Sequence, residues 1–99
     1  MIKYTTPTHI FNVNVDLTSA EVIYLTYKQN NNIVVEKTKE DLTITPTQVT
    51  VTLTQEDTGG FIMGTPVEIQ FRAKFYDTTA IASNIMKTTV ERVLKDGVI

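Results

Sequence analysis

Few residues in this sequence suit chemistry, and they are poorly grouped. There is one histidine, His9, set between Thr8 and Ile10. A Ser-His-Asp triad or an imidazole metal site would have to use it, yet no second ligand stands at a helpful spacing. Its expected role is structural. Glu40–Asp41 and Glu56–Asp57 are adjacent carboxylates. Neighbours on a strand face opposite sides, so neither pair makes an acid–base dyad, and turn capping or loop solvation is the expected use. A glycosidase needs two carboxylates across a cleft, which a chain this short seldom forms. Gly59-Gly60 lacks the G-x-x-x-x-G-K-[ST] pattern of a phosphate loop. Calcium held by Glu56, Asp57 and the Thr58 carbonyl lacks the D-x-D-x-D spacing. With no cysteine there is neither a disulfide framework nor a thiolate metal site. Tyr24 and Tyr27 fall on opposite faces of one strand, so they make no stacking platform; one is expected in the core and the other half-exposed. No catalytic residue, cofactor site or metal ligand is therefore expected.

The elements that position these residues read as strands. The chain has 99 residues, enough for one domain with one core and no staples. Eighteen threonines suit the solvent faces of strands better than helices. The net charge of −2, with nine scattered basic residues against eleven acids, argues against nucleic acid as a partner. No apolar run approaches the ~20 residues of a membrane span, so no membrane partner is expected. Met1 to Ile10 has no apolar stretch of the signal-peptide kind.

Period-two alternation dominates. Phe11, Val13 and Val15 alternate with Asn12, Asn14 and Asp16. Val22 to Gln29 forms a second strand, Asn30 to Asn32 a hairpin tip of open turn type, and Ile33 to Lys37 the return. Lys39 to Asp41 is a polar loop, and Leu42 and Ile44 mark a short strand ended by Pro46. Val49, Val51 and Leu53 alternate with Thr50, Thr52 and Thr54 in the cleanest amphipathic strand, whose threonine face is flat and low in charge. A turn region with Gly59, Gly60 and Gly64 follows, then a strand with Val67, Ile69, Phe71, Ala73 and Phe75 inward. Asp77 to Thr79 forms another tip. Residues 85–99 are ambiguous between strand and helix; a strand to about Val90 is favoured, with 91–99 a frayed or short helical tail. About seven strands at regular spacing predict an all-β, two-sheet antiparallel β-sandwich over residues 1–99.

One pattern occurs twice. Val13-x-Val15-x-Leu17-Thr18-x-x-Glu21 matches Val49-x-Val51-x-Leu53-Thr54-x-x-Asp57. Thr followed three residues later by an acid is the capping-box spacing, so Thr18 with Glu21 and Thr54 with Asp57 each predict a helical turn joining two strands. Two origins stay open: convergence on a common corner, or a pseudo-repeat of two half-sandwiches.

The stretch Asp16 to Gln29, the Leu53-Thr54-Gln55-Glu56-Asp57-Thr58 block, Val67 to Arg72 and Ala82-Ser83-Asn84 together resemble small phage and prophage proteins of Gram-positive bacteria. Their fold is similar to the immunoglobulin-like N-terminal domain of phage baseplate upper proteins. The resemblance implies an immunoglobulin-like sandwich and a virion structural or assembly role in a tail, baseplate or head–tail region. The implied partners are other virion proteins or further copies of itself, and the implied location is the virion, or the cytoplasm of the host bacterium during assembly. It brings no catalytic residues. In the baseplate proteins the domain precedes a long extension, whereas this sequence stops at Ile99, which favours an accessory or connector subunit. The alternative is a small prophage-encoded regulatory or host-interaction protein outside the particle.

Overall fold

The computed structural model describes all residues from Met1 to Ile99. Eight strands form two antiparallel sheets: β1 (Thr8–Asn12), β2 (Ala20–Gln29), β3 (Asn32–Thr38), β4 (Thr43–Ile44), β5 (Gln48–Thr52), β6 (Val67–Phe75), β7 (Ala80–Ala82) and β8 (Met86–Thr88). One five-residue helix, α1 (Gln55–Gly59), joins β5 to β6, and a 3-10 turn covers Lys39–Asp41. The first sheet has the order β1-β5-β4. The second has the order β3-β2-β6-β7, with β8 on the same side of β6 as β7.

The fold is an all-β two-sheet sandwich, and its connectivity is immunoglobulin-like. Taking β1 as strand B, the sheets read B-E-D and C′-C-F-G, the immunoglobulin order without a strand A. The N-terminal residues go elsewhere: Ile2 makes a parallel bridge to Glu91, with Glu91 N–H donating to Met1 O at 2.8 Å.

Alternation sorts the side chains as the sequence predicts. Ile23, Leu25 and Tyr27 of β2, Val49 and Val51 of β5, and Val67, Ile69, Phe71 and Ala73 of β6 are buried, joined by Leu53, Leu17 and Phe61. Each large apolar side chain contributes about 1.5–3 kcal/mol on burial. Tyr27 is in the core while Tyr24 stays 42% exposed. Phe11 and Val13 pack against the core, but Val15, expected inward, lies beyond the end of β1 and is exposed.

Local chemistry closes the turns. Asn30 and Asn31 both have positive φ, which a two-residue type I′ hairpin turn requires and which asparagine tolerates better than most residues. Pairing departs from regularity at three places. Glu21 is an extra residue in β2 opposite Phe75 and Lys74, and Val34 is an extra residue in β3 opposite Tyr27 and Lys28. Along the last edge, β7 and β8 are separated by Ser83–Ile85, where the Ser83 hydroxyl takes the Phe71 N–H at 3.0 Å in place of a backbone carbonyl.

The ambiguous end of the chain resolves into a short strand, Met86–Thr88, followed by irregular backbone. The short helical tail expected over 91–99 does not form. Val90 is buried, and the Ile99 backbone returns to the Gln55 side chain through hydrogen bonds of 2.9 and 3.1 Å. Those contacts fix the end of the chain without a helix, and the β-branched Val90 and Val93 are weak helix formers.

Candidate protein-interaction site

The two predicted caps part company in the structure. Thr54 caps α1: its hydroxyl oxygen accepts from Asp57 N–H at 3.1 Å, and Asp57 Oδ2 accepts from Thr54 N–H at 2.9 Å. Lys37 closes on Asp57 Oδ2 at 2.7 Å, tying β3 to the helix. Burial pushes the Asp57 carboxyl up, but the Lys37 ammonium and the Thr54 N–H outweigh it and leave it below the ordinary carboxylate value. Thr58, fully buried, accepts from Thr5 N–H at 3.0 Å and donates to Thr5 O at 2.8 Å. The helix thereby anchors the N-terminal segment.

Thr18 and Glu21 do not make the predicted cap, and no helix forms there. Asp16 Oδ1 accepts from both the N–H and the hydroxyl of Thr18, at 2.9 and 2.6 Å, an Asx-turn that competes with helix formation. Ala20 already pairs with Phe75, leaving no room for a helical turn. Glu21 becomes the bulge residue and reaches Lys74 at 2.9 Å on the surface. The expected polar loop Lys39 to Asp41 follows a threonine with the same spacing, Thr38 to Asp41. In the structure Thr38 N–H donates to Asp41 Oδ2 at 3.0 Å at the start of the 3-10 turn. The spacing that singled out Thr54 would have found it.

His9 braces β1 on β2. Its Nδ1 lies 2.7 Å from the Tyr27 hydroxyl, with the rings stacked at 5.8 Å. Burial, then the N-terminal charge, lowers the His9 pKa, while burial and the Asp57 charge raise that of Tyr27 well above its usual value. No three His, Cys, Asp or Glu side chains gather as a metal site would need. Gln29, which sequence reasoning passed over, is buried and clamps the loop before β6. Its amide donates to Ile62 O and Thr65 O at 2.9 Å each and accepts from Ile62 N–H at 2.8 Å.

A concavity lies between the sheets on the side where strand A is missing. It is an apolar groove of about 420 Å³. Phe11, Val13 and Leu17 form one wall, and Phe71, Ala73 and Ile81 the other; Phe11 meets Phe71 edge-to-face at 4.9 Å. Asn12, Asn14, Ser83 and Asn84 rim it, and no charged residue lines it. Above one wall runs the unpaired edge of β1. The bonds Leu53 N–H to Pro7 O and Val13 N–H to Thr47 O fix the phase of the β1–β5 ladder. Residues 9 and 11 therefore bond β5, while the N–H and C=O of Thr8, Ile10 and Asn12 point away from it. No other strand lies beside them. Alternation in the sequence marks Phe11, Val13, Phe71 and Ala73 as strand faces but does not show that β1 is an edge, because an edge is a property of strand order and not of any segment.

No protein-family model, curated protein or solved structure matches the chain.

Proposed function

We propose that the protein acts by contact with other proteins and without catalysis, as a structural or assembly module. The observation that carries this reading is the side left open by the missing strand: an unpaired strand edge above an uncharged apolar groove. Such an edge presents backbone donors and acceptors to an incoming strand, and the groove offers apolar surface beneath. The outer face of the first sheet adds a flat surface of Thr8, Ile10, Asn12, Gln48, Thr50 and Thr52, again without a charge. The second sheet's outer face differs, carrying Lys28, Glu36, Glu68, Arg72 and Lys74. No helix is long and apolar enough to cross a membrane.

The setting we propose is the one the sequence resemblance implies, a phage or prophage particle, in its tail, baseplate or head–tail region. The protein then resides in the virion, or in the host cytoplasm while the particle is built. Mass spectrometry of purified, induced particles tests this. The expected result is the protein as a stoichiometric component. Its absence from particles, with a host protein co-purifying instead, would replace the reading with that of a prophage-encoded regulator.

A further inference from the structure

Sheet edges invite unwanted pairing, and proteins blunt them with short strands, charges and bulges. Four edges can be compared here. β4 is two residues long. β3 carries Glu36 and Lys37 and is bent by the Val34 bulge. The β7–β8 edge is interrupted at Ser83–Ile85 and carries Lys87. β1 has none of these protections: Thr8-His9-Ile10-Phe11-Asn12 is uncharged, lacks proline, and pairs with β5 in unbroken register. At its centre Ile10 is 60% exposed.

We infer that β1 pairs antiparallel with β1 of a second copy of this chain, about a two-fold axis through Ile10. This deepens the assembly reading above and rests on it. The chemistry is self-complementary. Ile10 exchanges both backbone bonds with Ile10 of the second copy, and Thr8 exchanges both with Asn12, because these are the residues whose N–H and C=O face outward. On the outer face the two Ile10 side chains meet, and Thr8 lies beside Asn12. On the inner face His9 neighbours Phe11, which lines the groove. No like charges oppose one another, and the two-fold closes the assembly at two copies. The three-stranded sheets join into one six-stranded sheet, and neither copy retains a free β1 edge.

A seam one short strand long buries less than the roughly 1,200 Å² at which standard interfaces begin, so the association is read across a concentration series. By sedimentation equilibrium the mass rises from 11.1 kDa toward twice that value with concentration. Ile10→Lys places two ammonium groups against each other on the axis and keeps the protein monomeric. Thr50→Lys, on the same face one strand away from the seam, leaves dimerisation unchanged. The chain has no cysteine, so Ile10→Cys reports register: under mild oxidation it crosslinks into dimers, whereas Thr8→Cys, facing Asn12, does not. A wild type that stays monomeric throughout overturns the inference, as does an Ile10→Lys variant that still associates or a Thr8→Cys variant that crosslinks equally well. Association lost in Thr50→Lys instead would move the contact to the threonine face and also overturn it. A monomer that is nonetheless found in particles sinks the seam and leaves the assembly reading standing. A dimer with the stated register that is absent from particles does the reverse.

Discussion

The corner between β1 and β2 and the corner between β5 and β6 do the same topological work. Each carries the chain from the first sheet to a long strand of the second, and each begins with V-x-V-x-L-T-x-x-acid. Their surroundings are related too: β1 pairs with β5, β2 with β6, and both long strands turn back through a hairpin. The two halves thus share a strand–corner–strand–hairpin plan, as a pseudo-repeat would. Only the second corner folds into a helix. The difference lies in the residues that flank the shared pattern. Asp16 captures Thr18 before a helix can use it, whereas the matched position in the second half is Thr52, a residue of β5. Four residues after the shared threonine stands Val22 in the first half and Thr58 in the second, and only Thr58 ties the corner to the N-terminal segment. A capping box is thus a permissive signal, and what competes for the cap decides whether a helix forms.

The largest test of this contrast is Thr58→Val, which installs the first corner's residue type in the second with little change in volume. Thr5 then loses the partner for both its N–H and its carbonyl at a partly buried site. The expected loss is about 1–3 kcal/mol in urea unfolding. A change below a few tenths would mean that the N-terminal segment is held by other contacts, such as the Ile2–Glu91 bridge.

Next in size is Thr54→Ala, which removes a real cap and should cost about 1 kcal/mol. Thr18→Ala, the same substitution at the matched position, touches only a surface turn and should stay within about 0.5 kcal/mol. Equal losses at the two positions, measured by thermal or urea unfolding, would break the distinction between the corners.

That distinction also marks how far the sequence could be read. The inward faces of β2, β5 and β6 were legible because period two acts within a single strand, and burial follows it residue by residue. The Asn30–Asn31 tip was legible as a hairpin from residue type alone, although its turn type was not. Thr54 with Asp57 was legible and Thr18 with Glu21 misleading for one reason: spacing shows which bonds a threonine can make, while Asp16 and the Ala20–Phe75 pairing decide which it does make. The open side was not legible. An unpaired β1 and the groove beneath it depend on which strands become neighbours, and local pattern carries no information about that.

A third prediction uses pH. The Asp57 carboxyl titrates below its ordinary 3.8 in the folded protein. A depressed carboxyl contributes stability that is complete above the unfolded value and lost as pH falls through the folded one. Asp57→Asn should therefore lower stability at neutral pH by about 0.5–1 kcal/mol, the scale of a partly exposed ion pair. The gap from wild type should close as the pH drops below 3.8. Stability curves for the two proteins that stay parallel down to strong acid would show that the Lys37 contact adds nothing.

The smallest effect is expected at the residue matched to Asp57. Glu21 sits in a bulge and pairs with Lys74 where both side chains are well exposed, at 38% and 49%. Water screens such a pair, and holding two long side chains in one geometry costs rotamer freedom. Glu21→Gln keeps the size and a hydrogen-bonding oxygen, so the unfolding free energy should change by no more than about 0.5 kcal/mol. The bulge itself is fixed by backbone pairing of Ala20 and Val22 with Phe75 and Lys74, none of which the substitution touches. Amide exchange at Val22 to Leu25 should accordingly match wild type. Faster exchange there would mean that the carboxylate, and not the strand register, holds the first corner in place, and the two corners would then depend on their acids alike.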